Sequence, residues 1–346
     1  MNAPLKMPNL DLSAPINKLL VDPDVVHALS KLSSRLYLSH SAAETYISCP
    51  RQYFYKYILR LDSVASPCAL GFGNAVHEGC AAFAISTVTG VPVDAVKVFN
   101  KAWDKFCTSR IVDFGTNWSR EKLEETGKAL VEAFCQWLST SGYRVVVDAQ
   151  GKPVVERRLR LQLGSGVVIN LAIDLLLLSP QGTICLFDIK TPAQLSMEVF
   201  SHVSDQLTGY QVAVDLFAEE LGIEQVDELG FIELQKVTVK EPPKKANSKP
   251  PKQPSVATPK PIPRRSKEEV DEYLQERLAI ANDIRSHRFP RRSRDSFNTS
   301  CSLCVYAKAC CSSDPSGLYV RPKGPRTAPS VPASTATEAA TSIIPF

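Results

Sequence analysis

A nearly continuous apolar run at residues 167–178 constrains the fold of this chain more than any other feature of its sequence. The run contains one acidic residue, Asp174, and apolar residues fill most of its odd-numbered and most of its even-numbered positions. Because side chains alternate between the two faces of a strand, this pattern is typical of a central strand covered on both sides. Residues 155–163 instead alternate apolar and polar side chains, which indicates a strand with one buried face. The sequence therefore predicts a sheet between layers of helices.

Other segments extend this pattern into an α/β fold with a mixed central sheet flanked by helices. Further strands are predicted at residues 183–191 and 229–239, and helices at residues 23–34, 72–87, 120–138 and 201–221. Two capping-box patterns, Ser41-x-x-Glu44 and Ser266-x-x-Glu269, predict the starts of two more helices. The first of these helices is expected to run through Tyr57 and the second to about Arg285.

The composition predicts how the chain is organised around this fold. Residues 1–35 carry scattered prolines and are expected to form a loosely ordered arm, whereas residues 36–311 form one domain. Residues 241–265, rich in Pro, Lys and Ser, and residues 312–346, rich in Pro, Ser, Thr and Ala, bury too little apolar surface to offset chain entropy. They are expected to be a disordered insertion and a disordered tail.

Length and composition also exclude several classes of protein. The 346 residues are 44% hydrophobic, which is enough for a substantial core. No apolar run approaches the roughly 18 to 20 residues of a membrane span, and the first thirty residues lack the pattern of a signal peptide. A soluble, cytoplasmic protein is therefore expected. The ten cysteines need not form disulfides, because disulfide frameworks belong mainly to small secreted chains.

Positive charge is concentrated in two segments. Residues 240–267 hold nine Lys or Arg and one Glu, a local charge of +8 in a chain whose net charge is +4. Five arginines lie within ten residues just before a cysteine cluster: Arg285, Arg288, Arg291, Arg292 and Arg294. Arginine suits phosphate contact, so the arginine segment is expected to flank a DNA channel. No helix-turn-helix or zinc-finger pattern is present, so binding is expected to be independent of base sequence.

The strongest chemical signal is Asp174 followed by Asp188-Ile189-Lys190. Residues two apart on a strand share a face, so Asp188 and Lys190 are predicted to point together, and an adjacent antiparallel strand can place Asp174 beside them. Two carboxylates can hold Mg²⁺ or Mn²⁺, which polarises a phosphate and lowers the pKa of a bound water, while lysine orients that water or offsets charge. A structural salt bridge between Lys190 and one aspartate is the alternative.

These residues resemble the signature of the PD-(D/E)XK nuclease superfamily. Three more segments are similar, in order, to its RecB-like branch: the opening helix at residues 41–57 with Cys49-Pro-Arg-Gln-Tyr-Phe, Gly73-x-x-x-His77, and Gln206-x-x-x-Tyr210. The resemblance implies a restriction-endonuclease-like core. One position departs from it, because the family usually has glycine three residues before the first aspartate and this chain has Leu171.

The resemblance also implies a role for each matching residue. The metal ligands would be His77, Asp174, Asp188 and the backbone carbonyl of Ile189. Lys190 would be the catalytic lysine, and Gln206 and Tyr210 would contact the DNA strand or order the site. Glu156, on the polar face of its strand, is a secondary candidate for the same pocket.

A second cluster of candidate ligands is Cys301-x₂-Cys304-x₅-Cys310, followed directly by Cys311. A closed metal site needs four ligands, and adjacent residues such as Cys310 and Cys311 seldom point at one ion together. In iron-sulfur members of the RecB-like branch, including the AddB type and the CRISPR adaptation nucleases, the fourth cysteine lies far upstream, where Cys49 stands in this chain. The resemblance therefore implies a [4Fe-4S] cluster on these four cysteines that joins the two ends of the domain, and Zn²⁺ is the alternative.

Three functions remain open from the sequence. The leading hypothesis is a metal-dependent DNA exonuclease or end-processing nuclease that acts on single strands or duplex ends in recombination, repair or replication. The second is a catalytically silent DNA-binding or scaffold subunit that keeps the fold and the cluster. The third is a zinc-stabilised interaction protein without a nuclease site.

Overall fold

The computed structural model describes residues 10–32, 35–239, 253–292, 300–322 and 340–343. Its strands are β1 (Leu36–Ser39), β2 (Leu61–Ser63), β3 (Ala65–Pro67), β4 (Ile111–Asp113), β5 (Arg144–Val145), β6 (Val155–Leu163), β7 (Val167–Leu178), β8 (Ile184–Lys190), β9 (Glu228–Gln235), β10 (Ser255–Val256), β11 (Ile262–Pro263), β12 (Leu318–Val320) and β13 (Ala340–Ile343).

The helices are α1 (Ile16–Leu19), α2 (Pro23–Ser30), α3 (His40–Ser48), α4 (Pro50–Tyr53), α5 (Cys68–Thr89), α6 (Ala95–Ser109), α7 (Arg120–Thr140), α8 (Val199–His202), α9 (Asp205–Leu216), α10 (Ala218–Leu221), α11 (Lys267–Arg285) and α12 (Ala307–Ser312). A π-helical turn over Phe54–Ile58 continues α4.

A mixed nine-stranded sheet forms the centre of the molecule, with its main path in the order β10-β9-β8-β7-β6-β13. Strands β6, β7 and β8 pair antiparallel, and β8 pairs with β9 parallel after a crossover through α8, α9 and α10. Parallel neighbours need such a crossover, whereas antiparallel strands can follow one another through short turns. The predicted α/β fold with a mixed sheet is confirmed, and the bounds predicted for β6 and β7 match the structure.

Strand β7 changes its partner halfway along one edge. Residues 167–170 pair with β1, and residues 175–178 pair with β8. The other edge pairs with β6 over residues 167–175. Among the residues that the structure describes, 171–174 therefore have no ladder partner on the first edge. The strands separate at Asp174, and this opening becomes the floor of the candidate site.

Helices cover both faces of the sheet and bury two separate cores. One core packs β6 and β7 against α3, α9 and α11, and the other packs β7, β8 and β9 against α5, α6 and α7. In β7, Leu171 and Ile173 belong to the first core and Leu175 and Leu177 to the second. All four have odd numbers, so the alternation of faces reverses at Asp174.

The same reversal occurs in the neighbouring strand at Glu156. Leu159 lies in the first core and Val155 in the second, and Glu156 between them has φ 49°. A positive φ is costly for a residue with a side chain, so the surrounding sheet must hold Glu156 in this conformation. Strain of this kind concentrates at functional sites.

The first predicted capping box is wrong by two residues. Ser39, rather than Ser41, begins α3, and its hydroxyl accepts a hydrogen bond from the Ala42 amide at 3.2 Å. The helix also ends at Ser48 rather than running through Tyr57, because the residue before Pro50 is held in an extended conformation. The second capping box is confirmed at Ser266 and Glu269, where it opens α11.

Three segments predicted to be loose or disordered differ from that expectation where the structure describes them. In the arm, Leu12, Leu19, Val25 and Leu29 are each at most 3% exposed and join the first core. In the insertion, β10 and β11 pair with β9. In the tail, β12 pairs with β2 and β13 with β6. Scattered apolar residues and backbone pairing to existing strands supply contacts that average composition does not reveal.

None of the helices described here is both long enough and apolar enough to cross a membrane.

Candidate active site

Three carboxylates lie in one row across three neighbouring strands. The pairs Val155–Leu175 and Arg157–Ile173 place Glu156 of β6 opposite Asp174 of β7. The register of β7 with β8, which begins at Leu175 and Phe187, places Asp174 opposite Asp188. The row lies where β7 and β8 separate. Asp174 and Asp188 are 6% and 2% exposed, so the sheet itself buries two acidic groups side by side.

His77 reaches this row from α5. Its Nε2 lies 2.7 Å from the backbone carbonyl oxygen of Ile189, and its Nδ1 lies 3.4 Å from Asp174 Oδ2 and 3.7 Å from Glu156 Oε1. The backbone amide of Ile189 donates to Asp174 Oδ2 at 2.8 Å. The candidate ligands His77 and Asp174 and the Ile189 carbonyl are thus together, and Glu156 joins them.

Burial and charge oppose each other at this histidine. Desolvation lowers the pKa of His77, but Asp174 and Glu156 together outweigh it and raise the pKa to about 9. Burial also raises the pKa of Asp174, and the neighbouring Asp188 and Glu156 add to that increase against the effect of His77. Closely placed carboxylates in a buried site repel one another, so additional positive charge would stabilise them.

Asp188 and Lys190 belong to a second, connected group on the opposite face of β8. Lys190 Nζ lies 2.7 Å from Asp188 Oδ2 and donates to Gln206 Oε1 at 2.8 Å. Gln206 Nε2 donates to Asp188 Oδ1 at 2.7 Å and to the Tyr210 hydroxyl at 2.8 Å. The salt bridge that was the alternative to a catalytic role is therefore present. It is one bond of a network that includes both residues of the Gln-x-x-x-Tyr motif.

The two groups meet at the backbone of Ile189. Side chains of residues 185, 187 and 189 face the core under α5, whereas Asp188 and Lys190 face α9. Among the described residues, the one set of three candidate ligands whose donor atoms lie within 4.8 Å of each other is His77, Glu156 and Asp174. Asp188 is not part of that set, because its carboxylate is turned toward Gln206 and Lys190.

The donor set fits a hard divalent cation. Carboxylate and carbonyl oxygens are the ligands preferred by Mg²⁺ and Mn²⁺, and an imidazole is compatible with Mn²⁺. Glu156, Asp174 and the Ile189 carbonyl converge beside His77, and Asp188 is the next carboxylate in the row. Buried carboxylates are costly unless positive charge balances them. His77 and Lys190 each lie beside one aspartate, and a cation would supply further positive charge to the three carboxylates.

The candidate cluster cysteines come from both ends of the domain and line one small hollow. Cys49, between α3 and α4, lies across it from Cys301, Cys304 and Cys310, and Cys311 also contributes to the wall. None of these five cysteines forms a disulfide, and Cys311 is the exposed one. Among the described residues, no three of these sulfur atoms lie within 4.8 Å of one another.

Most of the arginines predicted to contact DNA are engaged with the protein. Arg292 donates from Nε to the carbonyl of Ser48 at 3.0 Å and also bonds the carbonyl of Ile47, so it caps the end of α3. Arg291 bonds the carbonyl of Ser13. The Arg288 side chain is 68% exposed and pairs with Asp283 at 3.3 Å. Arg294 lies outside the described residues.

Sequence reasoning missed two residues near these sites. Arg51 is 3% exposed and donates to the carbonyls of Ala14 and Phe289, each at 3.1 Å, so it joins the Cys49 segment to both termini of the domain. His40 lies beside Lys190 in a cleft, and its Nδ1 is buried without a hydrogen-bond partner. Arg51 follows Cys49-Pro50 directly, which was a usable signal, whereas nothing in the sequence distinguishes His40.

The chain is similar to known proteins in two ways, to a solved structure and to a family model. A solved structure described as "Crystal structure of SSO0001" is similar over 85% of this chain and 95% of its own, at 11% identity and a TM-score of 0.33. The comparison with curated proteins gave no match. The family model of the PD-(D/E)XK nuclease superfamily matches residues 37–311, which is most of the chain and includes every candidate site residue described above. The chain therefore belongs to the PD-(D/E)XK nuclease superfamily.

Proposed function

We propose that this protein is a metal-dependent DNA nuclease of the RecB-like branch that hydrolyses phosphodiester bonds as an exonuclease or end-processing enzyme. Its superfamily generally consists of nucleases. The proposal rests on two adjacent groups of side chains. His77, Glu156, Asp174 and the Ile189 carbonyl lie together on one side of β8. Asp188 and Lys190 lie together on the other side. A scaffold subunit has no need for three neighbouring carboxylates at a point where the sheet opens.

The proposed division of roles follows the two groups. His77, Glu156, Asp174 and the Ile189 carbonyl would hold Mg²⁺ or Mn²⁺. Asp188 would complete the set by turning its carboxylate from Gln206 toward the ion. When bound, the cation supplies positive charge that polarises the phosphate and lowers the pKa of a water.

Lys190 acts from the other side of the same strand. Gln206 accepts one proton of its ammonium, and Asp188 Oδ2 lies 2.7 Å away as an ion-pair partner. An N–H therefore remains to donate to a phosphate oxygen or to the attacking water. Gln206 holds the ammonium in place, and Tyr210 holds Gln206. These contacts orient the lysine beside the acidic row.

We also propose a [4Fe-4S] cluster on Cys49, Cys301, Cys304 and Cys310. The four cysteines line one hollow, which supports a shared metal site, and Zn²⁺ is the alternative occupant. Because the ligands come from opposite ends of the domain, the cluster would hold the opening helix against the closing segment. Its role is structural.

Cleavage of end-labelled single- and double-stranded DNA in the presence of Mn²⁺ tests the nuclease proposal. Lys190→Ala and Asp188→Asn are expected to lower the rate roughly 100-fold or more. Lys122→Ala, a change of an exposed lysine on α7, is the matched control and should cleave like the wild type. Equal activity in all four proteins would remove the site assignment. DNA binding without cleavage in the wild type would favour a silent scaffold subunit.

A further inference from the structure

A cleft of about 620 Å³ opens directly beside Lys190. One wall comes from the start of α3, with His40, Glu44 and Ile47, and the opposite wall comes from the segment that follows β8, with Phe200 and Val203. Phe231 of β9 also lines the cleft, next to Asp188 in the strand register. The cleft is therefore continuous with the group of residues around Lys190.

The cleft presents aromatic surface close to the catalytic lysine. The ring centroid of Phe231 lies 5.7 Å from Lys190 Nζ. Phe200 is 49% exposed and lies outside both cores, so its ring has no packing role that explains its position. Met197, Val199 and Val203, close to Phe200 in the chain, are also exposed, and an exposed apolar patch beside a cleft marks a binding surface.

The polar groups of the cleft exclude one kind of ligand and favour another. Four carboxylates line it, from Glu44, Asp205, Glu233 and Glu276, and Lys190 is the cationic side chain of the lining. Asp205 and Glu276 pair with Arg277, whereas Glu44 and Glu233 form no ion pair within the part of the chain that the structure describes, so the cleft stays acidic away from Lys190. A phosphate is therefore repelled from the interior and attracted only to the Lys190 end. Carboxylates accept hydrogen bonds from amino and imino groups, and the buried His40 Nδ1 has no partner within the protein. An uncharged aromatic ring that carries hydrogen-bond donors suits this lining.

We propose that the cleft binds one unpaired nucleobase of the substrate strand, the base next to the phosphate held at Lys190, between the side chains of Phe200 and Phe231. This inference rests on the proposed nuclease function and specifies the type of DNA strand that the site accepts. A base inside a duplex is stacked on both faces and therefore cannot enter the cleft. Base stacking on aromatic side chains tolerates any sequence. The proposed substrate is therefore single-stranded DNA or an unpaired end.

Binding of single-stranded oligonucleotides that carry 2-aminopurine at successive positions tests the proposal without relying on cleavage. Ca²⁺ replaces Mn²⁺ so that the strand stays intact. In the wild type, fluorescence at one position should fall through stacking. In Phe200→Ala that position should remain bright and the affinity should fall roughly tenfold. Phe200→Tyr should restore both, and Val199→Ala, which changes a neighbouring exposed apolar residue, should resemble the wild type.

The outcomes separate this inference from the nuclease proposal. If Mn²⁺ supports cleavage but no position is quenched, or if Phe200→Ala quenches like the wild type, the base pocket is wrong and the nuclease remains. If one position is quenched in a Phe200-dependent way but no strand is ever cut, the pocket stands and the nuclease proposal fails. A blunt duplex that binds as tightly as the single strand, or a single strand that does not bind, would also overturn the pocket.

Discussion

The Nε2 atom of His77 lies 2.7 Å from the backbone carbonyl oxygen of Ile189. These are two of the groups that family resemblance assigns to a metal ion, and here they bond to each other. The same histidine faces Asp174 through its other ring nitrogen at 3.4 Å. A cation bound among these groups must therefore compete with a proton and a hydrogen bond, both supplied by His77.

Cation binding is expected to stabilise the fold through Asp174. At a Mn²⁺ concentration about 100 times the dissociation constant, the free energy of unfolding should rise by about 2.7 kcal/mol in the wild type. In Asp174→Asn this increase should vanish, because a neutral amide replaces the buried carboxylate that contacts both His77 and the Ile189 amide. Thermal unfolding with increasing Mn²⁺ measures the effect. Glu132→Gln, an exposed acid on α7, is the control, and an equal increase in Asp174→Asn would contradict the assignment.

Gln206 is expected to act by positioning Lys190. In Gln206→Leu the lysine loses its amide acceptor and Asp188 loses a donor at 2.7 Å, so kcat should fall between roughly 10- and 100-fold with little change in KM. Tyr210→Phe removes the hydroxyl that accepts from Gln206 at 2.8 Å and contacts Asp188 at 3.4 Å. It leaves the bonds from Gln206 to Lys190 and Asp188 in place, so it should cost less. Steady-state cleavage kinetics separate the two variants. If both lose the same activity, or if Gln206→Leu changes KM alone, Gln206 contacts the substrate rather than the lysine.

The predictability of this site differs from residue to residue. Asp174, Asp188 and Lys190 could be found because each charge interrupts an apolar strand, and strand register then brings them together. Alternation places Glu156 on the polar face of its strand and makes it a secondary candidate, but it does not predict the positive φ that reverses the faces of the strand there. Periodicity assumes a regular strand, and it fails where the backbone is distorted.

The helical layer shows a similar limit. The helix Ala95–Ser109 was not predicted, although Asp94 caps it by accepting from the Lys97 amide at 2.8 Å. The arginines before the cysteine cluster appeared to be a phosphate-binding segment, yet Arg291 and Arg292 bond backbone carbonyls near the N-terminus. Charge density identifies which side chains could bind phosphate, but long-range contacts decide which of them are already used.

Arg288 and Arg292 are therefore expected to differ when each is changed to alanine. Arg292→Ala exposes the carbonyls at the end of α3 and should lower the free energy of unfolding by about 1 kcal/mol. Arg288→Ala breaks only an exposed ion pair and should leave stability unchanged. If Arg288 contacts a phosphate, its removal should reduce the slope of log affinity against log salt by about 1. Chemical denaturation and DNA titration at several salt concentrations measure both effects, and equal destabilisation would contradict the distinction.

The cysteines are expected to separate into four ligands and one bystander. Anaerobically purified wild type should show a broad visible absorbance band that Cys49→Ala abolishes and Cys311→Ala retains, because Cys311 is exposed and adjacent to a proposed ligand. The unfolding midpoint should fall in Cys49→Ala alone, since that change detaches the opening helix from the closing segment. Metal analysis provides the second readout. Colourless protein with stoichiometric zinc, or loss of the band in Cys311→Ala, would refute this assignment.

His40 is expected to make stability depend on pH in the acid range. Burial, with smaller contributions from Arg277 and Lys190, lowers the pKa of His40 to about 4, against the opposing effects of Asp205 and Asp188. The unfolded chain, with an ordinary histidine pKa near 6.5, takes up the proton first as pH falls. The stabilising contribution is therefore complete above about pH 6.5 and is lost as the pH falls from there toward 4.

The change from histidine to asparagine isolates this effect from the titration of the cleft carboxylates, including Glu44. Between pH 7.5 and pH 5, the wild type should lose about 1 to 2 kcal/mol more of its unfolding free energy than His40→Asn. The asparagine keeps a polar group near Nδ1 but binds no proton, so it removes the titration while retaining much of the shape. Chemical denaturation at five or six pH values measures the difference. Parallel pH profiles for the two proteins would show that His40 already takes up its proton in the fold as readily as in the unfolded chain.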